Sequence, residues 1–358
     1  MSAPDSPPAA VASSESHEAA HPLCAPSVSI VIPAFNSDRF LGSTLRSVQE
    51  QSLTDWECVV VDDGSTDSTS EIAREFAAQD SRFRVVRIDN SGPSAARNHG
   101  YRLTSPGSEF VTFLDSDDVW LPHALATLAS RLRSDSAAVG AHGLAEVVDE
   151  DGHPIPGWSY PDNGRHRLGL EVRRLVVWPL DKPTDFAVLV NGNVLFPPGL
   201  LLARRGVYER AGRFDEWFRG AEDWDMLIRI SRFGHLSFVN EVILHYRRHG
   251  ANLGAAQGIE RRAWLVRCKA FYSPENDATQ QRIARRGWRA YQRYMVGKRW
   301  HSSLAHLRDR QVRRSADQLV RIPFHLVRFV RGHPTPKLIR VSEPWERSGA
   351  GDATPKAE

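Results

Sequence analysis

Val28-Ser29-Ile30-Val31-Ile32-Pro33-Ala34-Phe35-Asn36 decides the fold. The run from Val28 to Ile32 is mostly β-branched, too short for a helix and stopped by Pro33, which marks a strand buried on both faces. Working outward, Phe40, Leu41, Leu45 and Val48 recur at helical spacing and predict a helix over about residues 39–51. A second strand, Trp56 to Val61, ends in Asp62-Asp63-Gly64-Ser65, and a helix from about Ser68 to Ala78 opens on Ser/Thr/Asp capping residues. Arg84 to Ile88 reads as a third strand, followed by a Gly-Pro turn and a helix through Ala95, Ala96 and Tyr101. Phe110 to Leu114 is a fourth strand that runs into Asp115-Ser116-Asp117-Asp118. Strand and helix alternate, which predicts an α/β fold with a Rossmann-like, mostly parallel sheet flanked by helices.

Ligands of such sheets sit beyond the carboxyl ends of the strands. Two of those ends are acidic here, the wrong sign for cradling phosphate unless a cation lies between. No Gly-x-Gly-x-x-Gly or Gly-Lys-Ser/Thr loop is present, which argues against a dinucleotide fingerprint or a P-loop. Three carboxylates in Asp115-Ser116-Asp117-Asp118 repel one another less if a hard divalent cation sits among their oxygens. An acidic turn capping a helix that starts at Pro122 would carry the same letters.

The 358 residues, 41% hydrophobic and 25% charged, are ordinary globular composition and exclude a collagen-like, coiled-coil or wholly disordered protein. Cys24, Cys58 and Cys268 are odd in number and far apart, so they form neither a disulfide framework nor a Cys-rich zinc site. With no apolar run of about 20 residues and no signal-peptide pattern at the start, the expectation is a cytoplasmic protein. The net charge of +3 hides an asymmetry: residues 281–332 hold 14 Lys and Arg against 2 Asp and Glu, leaving 32 against 41 elsewhere. Within that segment Trp288, Tyr291, Met295 and Val296 alternate with Arg286, Arg289, Arg293 and Lys298, and residues 322–331 repeat the mixture. A basic amphipathic helix on an anionic membrane is one reading. A helical hairpin packed on the acidic domain is the other, and no recognition motif points to nucleic acid.

Taken in order, Val28–Asn36, Val60-Val61-Asp62-Asp63-Gly64-Ser65-Thr66-Asp67, Gly92-Pro93-Ser94-Ala95-Ala96-Arg97-Asn98, Phe113-Leu114-Asp115-Ser116-Asp117-Asp118 and Glu222-Asp223-Trp224-Asp225 resemble the family 2 glycosyltransferases of GT-A fold, which are inverting enzymes. The resemblance implies a nucleotide-sugar site built from Pro33, Phe35, Asn36, Asp62, Asp63, Arg97, Asn98, Asp115 and Ser116. It implies a metal, Mn²⁺ or Mg²⁺, on Asp117 and His249, the latter in Tyr246-Arg247-Arg248-His249. It places the catalytic base at Asp223 with Glu222 beside it and Asp225 in reserve. For Arg97 a salt bridge to Asp63 or Asp115 competes with a base or phosphate contact, and for Asp62 a plain turn role competes with a nucleotide contact.

The expected organisation is a disordered leader over 1–26, a GT-A domain over 27–255 and a basic helical extension over 256–332, then a disordered tail over 333–358. Within the domain, 27–150 forms the nucleotide-sugar half and 151–255 the acceptor and catalytic-base half, where Trp158, Trp178 and Phe196 are either sugar platforms or core aromatics. The expected donor is a nucleotide-diphosphate sugar, a UDP-sugar favoured, and the acceptor a hydroxyl on a glycan or lipid-linked carrier. Peripheral placement on the inner face of the plasma membrane would suit such an acceptor. A catalytically inactive nucleotide-sugar-binding protein on the same scaffold and a sugar nucleotidyltransferase are the competing readings.

Overall fold

The computed structural model describes residues 25–155, 167–171, 174–179, 182–218, 220–250 and 259–334. The expected leader and tail fall almost entirely outside the described residues, as do Trp158 and the side chain of Trp178. In chain order the first half runs β1 (Val28–Ala34), α1 (Asp38–Gln49), β2 (Trp56–Asp62), α2 (Thr69–Gln79), β3 (Phe83–Arg87), α3 (Pro93–Leu103), β4 (Phe110–Phe113), β5 (Val119–Trp120), α4 (Ala124–Ser134) and β6 (Ala138–Val148). A small hairpin, β7 (Arg167–Glu171) and β8 (Arg174–Trp178), follows. Next come α5 (Phe186–Leu189), β9 (Leu201–Arg204), α6 (Arg205–Ala211), α7 (Glu222–Ile230) and β10 (His235–Arg247). The chain then turns wholly helical in α8 (Ile259–Tyr272), α9 (Ala278–Arg308) and α10 (Val312–Arg331).

One sheet carries the order β3-β2-β1-β4-β9-β6-β10-β5. β1 lies parallel to both β2 and β4, and β6 parallel to β10, while β9 runs against its neighbours and β5 against β10. The expected mostly parallel α/β sheet is therefore present, and β1 to β4 with α1 and α2 begin and end within two residues of the sequence expectation, whereas β5 and β6 are not among the expected elements. The β-branched run of β1 lies wholly inside, with Val28, Ile30, Val31 and Ile32 at 0% exposure, because helices cover both faces of a parallel sheet.

Close packing of α3 on that sheet depends on a missing side chain. A Cβ at Gly100 would stand 2.4 Å from Val31 Cγ1 and 2.9 Å from Val61 Cγ2, so the helix seats against β1 and β2 only as glycine. This seating matters because α3 carries Arg97 and Asn98. Gly100→Ala is expected to destabilise the fold by about 1–3 kcal/mol through overpacking, and a chemical-denaturation curve that recovers part of the loss with Val31→Ala would identify the clash as the cause.

Candidate active site

The carboxyl ends of β1, β2, β4 and β10 converge. Beyond β1, Phe35 is half exposed, and Asn36 adopts a left-handed conformation with φ of 47°. Its backbone amide donates to Ser65 Oγ at 3.0 Å and its side-chain oxygen accepts from the Thr66 amide at 2.9 Å. The turns after β1 and β2 are thereby locked to each other. Pro33 lies inside β1, paired with Val61.

Asp62 and Asp63 are buried but differently employed. Asp62 accepts from the Ser65 amide at 2.8 Å and pairs with Arg87 at 2.7 Å. Burial would raise its carboxyl, yet the Ser65 hydrogen bonds, Ser70 and the Arg87 charge together hold it below the usual range. That is the turn role weighed for Asp62. Asp63 takes the amides of Ser91 and Gly92, each at 2.8 Å, and so fixes the approach to α3. On α3, both amide hydrogens of Asn98 go to the loop before α7, to Phe214 O and Glu216 Oε1, each at 2.9 Å.

After β4 the chain makes the Asp115-Ser116-Asp117-Asp118 turn, and neighbouring elements pin it. Thr44 Oγ1 of α1 donates to Ser116 O at 2.9 Å and Asp118 O at 2.8 Å, and Ser37 Oγ meets Ser116 Oγ at 2.8 Å. Arg247, at the end of β10, gives its amide to Asp118 Oδ1 at 3.0 Å and its Nε to Asp117 O at 3.0 Å. It also donates to Glu150 O at 2.7 Å. A carboxylate oxygen from each of Asp115, Asp117 and Asp118 lies within 4.8 Å of the others. Asp118 is fully buried, and its Oδ2 has no hydrogen-bond partner among the described residues. His249 Nε2 stands 2.8 Å from Asp117 Oδ2, its ring 4.7 Å from that of Phe40.

Burial first, then the Asp117 and Asp115 charges, push the Asp118 carboxyl well above the usual range. Asp115 is raised by burial as well, with Arg97 opposing and Asp117 and Glu222 adding to the rise. An orphaned buried oxygen among crowded carboxylates and an imidazole is a donor set that fits a hard divalent cation such as Mg²⁺ or Mn²⁺.

Arg97 joins this turn to α7. Its guanidinium, almost completely enclosed, reaches Asp115 Oδ1 at 2.6 Å and Glu222 Oε1 at 2.8 Å. α7 is preceded by Ala221, a non-glycine residue in the left-handed region with φ of 67°, a strained conformation of the kind found at functional sites. Asp223 then faces a cavity walled by Phe113, Leu195, Pro197, Met226 and Leu227. It accepts from its neighbour's amide, Trp224 N, at 2.7 Å and from Asn193 Nδ2 at 3.3 Å. Burial first and the Glu222 charge second push its carboxyl up to about 7, against the Trp224 amide and Arg97. Asp225 is different: it pairs with Arg229 and with Lys269, each at 2.9 Å, and although burial opposes them these cations hold it low. A carboxylate so paired is a poor proton acceptor, which removes the reserve candidate for the base.

The structure thus gathers Asp115, Ser116, Asp117, His249, Arg97, Glu222 and Asp223 into one region. It joins to them Asp118, already counted among the three carboxylates of the acidic turn, and Arg247 of the Tyr246-Arg247-Arg248-His249 element, and it adds Thr44 and Asn193. Asp118 and Arg247 stood within quoted motifs, but Thr44 and Asn193 carried no sequence signal. Phe196 is half buried and packs edge-on against Tyr246 with ring centroids 5.3 Å apart.

Residues 29–187 match the family described as Glycosyl transferase family 2. The chain is 36% identical over 231 residues to the putative glycosyltransferase EpsH of Bacillus subtilis, covering 63% of this chain and 61% of that protein. It is 27% identical over 228 residues to the chondroitin synthase of Escherichia coli, covering 63% and 30%. The chain spans less than two thirds of the length of the first curated relatives it matches. In fold it is similar to S. aureus TarS in complex with UDP-GlcNAc, with a TM-score of 0.56 at 20% identity over 74% of this chain and 72% of that one.

Arg97→Met leaves Asp115 and Glu222 facing each other without their shared cation. Its expected cost is about 3–5 kcal/mol of folding stability, as for breaking a buried ion pair, read as a shift in the urea midpoint with unchanged slope.

Proposed function

Residues 29–187 make this chain a member of glycosyl transferase family 2, and from that premise we propose that it moves a sugar from a nucleotide-diphosphate sugar, a UDP-sugar by preference, to an acceptor hydroxyl. The observation that carries this reading is the single ion-paired network of the acidic turn after β4, Arg97 and the start of α7. The acceptor is a glycan or lipid-linked carrier in cell-surface polysaccharide, glycolipid or glycoconjugate synthesis. The work is done at the cytoplasmic side, peripheral on the inner face of the plasma membrane.

In the proposed reaction Phe35, Pro33 and Asn36 receive the nucleotide base, Asp63 and Arg97 border the nucleotide, and Asp115 and Ser116 face the ribose and sugar. Asp117 and His249, with Asp118 behind them, would hold Mg²⁺ or Mn²⁺. Bound there, the ion supplies Lewis-acid neutralisation of the charge that develops on the departing diphosphate. Asp223 accepts the proton of the acceptor hydroxyl as that oxygen attacks the anomeric carbon, and one in-line displacement inverts the configuration. Glu222, held by Arg97, keeps negative charge beside Asp223 and so keeps the base basic. The apolar cavity wall beside the half-buried Asp223 carboxylate disfavours its charged form and so strengthens its hold on a proton near neutral pH.

Calorimetry with UDP, GDP and dTDP, each with and without Mn²⁺, tests the reading directly. One nucleotide is expected to bind in a metal-dependent way, and Asp117→Asn is expected to abolish that binding while leaving the melting curve close to wild type. Failure of all three to bind a demonstrably folded protein would overturn the proposal. Asp223→Asn is expected to retain nucleotide binding and to lower turnover by about 10²–10⁴-fold, the usual worth of a general base. Full turnover in that variant would remove Asp223 from the mechanism, whereas nucleotide binding by the wild type without turnover on any acceptor would favour an inactive binding protein.

The base works deprotonated and its carboxyl is raised to about 7. The rate at limiting substrate is therefore expected to rise with pH up to about 7 and level off above it. A profile flat from pH 5 upward would contradict the assignment.

A further inference from the structure

We propose that one face of the α9–α10 hairpin is a docking surface for the headgroup layer of an anionic membrane. The hairpin is built inside out. Between its helices lie polar pairs: Gln292 with His325 at 2.7 Å, Arg299 with Gln318 at 2.7 Å and Ser303 with Ser315 at 2.7 Å. The partner number rises on α10 as it falls on α9, so the helices run antiparallel. The buried residues of α10 are Ser315 and His325, both polar. Its large apolar side chains point out instead, with Val330 at 77%, Val320 at 64% and Phe324 at 60% exposure, and Leu319, Leu326 and Val327 also exposed. On α9, Trp300, Leu304 and Leu307 are exposed at i, i+4 and i+7.

These two stripes share one side of the hairpin. At 3.6 residues per turn, Trp300, Leu304 and Leu307 sit about a quarter of a turn past the α9 seam residues, and the α10 stripe about a third of a turn past its own seam, both in the chain direction. For antiparallel neighbours the same sense of rotation leads to the same side. Toward the start of α9 that side continues as Arg282, Arg286, Arg289 and Arg293. Arg293 also lies over the Phe329 ring at 5.3 Å. The other half of the helix is anchored inward: Trp288, Tyr291 and Met295 are buried and Arg267 of α8 covers the Tyr291 ring. The packed hairpin and the basic membrane helix, weighed as alternatives, thus use different faces of the same element.

A solvent-facing apolar stripe bordered by arginines and an aromatic is the pattern of a helix that lies in the interface of a bilayer. No helix among the described residues is long and apolar enough to cross one. Charge chooses the occupant. Residues 281–332 carry 14 basic against 2 acidic side chains, so a second copy seated on this face would bring like charge against like, whereas anionic lipid complements it. The inference rests on the hairpin alone and does not depend on the proposed reaction.

The test is co-sedimentation of the full chain with phosphatidylcholine vesicles, with and without phosphatidylglycerol, at low and high salt. The protein is expected to pellet with the anionic vesicles only and to be released by salt. Val327→Glu/Val330→Glu, which changes two exposed side chains, is expected to weaken binding roughly tenfold with an unchanged melting curve. The difference spectrum between wild type and Trp300→Phe is expected to shift to the blue on binding. Folded wild type that fails to pellet at low salt would overturn the proposal, as would a double variant that binds like wild type. Light scattering that shows a dimer dispersed by the double variant, without vesicle binding, would assign the face to self-association instead.

Discussion

The site depends on one enclosed guanidinium. Arg97 sits on the third helix, Asp115 after the fourth strand and Glu222 at the head of the seventh helix, yet a single side chain bonds both acids. Burying that charge costs free energy that its two acidic partners offset, so α3, the acidic turn and α7 are held in one arrangement or lose it together. Gly100 lets α3 sit deep enough on β1 and β2, and Asn98 ties the same helix to the loop that leads into α7. The geometry of the proposed chemistry is thus an outcome of how one helix packs.

Around Arg97 the acids are sorted by environment. Asp225 is neutralised by Arg229 and Lys269 and serves the fold, and Asp62 does the same with Arg87. Asp118, fully buried, and Asp223, half-buried against an apolar cavity wall, lack comparable cation contacts among the described residues and are driven toward protonation. One is relieved if a cation joins the acidic turn; the other gains the proton affinity of a base. Residues of the same type, some only two positions apart, therefore carry opposite assignments, set by which cations the packing brings near. The left-handed Ala221 immediately before α7 marks the same spot as one where the backbone bears strain.

The helical extension obeys the reverse of ordinary packing. The first half of α9 buries its aromatics against the rest of the chain, while the second half and α10 join through amide, hydroxyl and imidazole groups and turn their apolar side chains outward. Polar seams hold a hairpin together when both faces are not available for burial, and they leave the apolar face for another surface. A basic segment over 281–332 and an acidic remainder in one chain make a charge asymmetry that net charge alone conceals.

The sequence by itself determined the alternation of strands and helices, since a β-branched run such as Val28–Ile32 or an amphipathic spacing such as Phe40 to Val48 is a local property of period and side-chain shape. It also marked Asp115, Asp117, Glu222, Asp223 and His249, because acids and an imidazole at strand ends and a helix start are chemically conspicuous wherever they fall. Tertiary structure alone decided what those residues touch. Asp62 and Asn98 drew protein partners, Asp225 drew two cations, and Thr44 and Asn193 entered the site without any signal in their own neighbourhoods. Hydrogen bonds and ion pairs between residues far apart in the chain, 132 positions for Asp117 and His249, depend on its three-dimensional path, and side-chain spacing along a single element holds no information about that path.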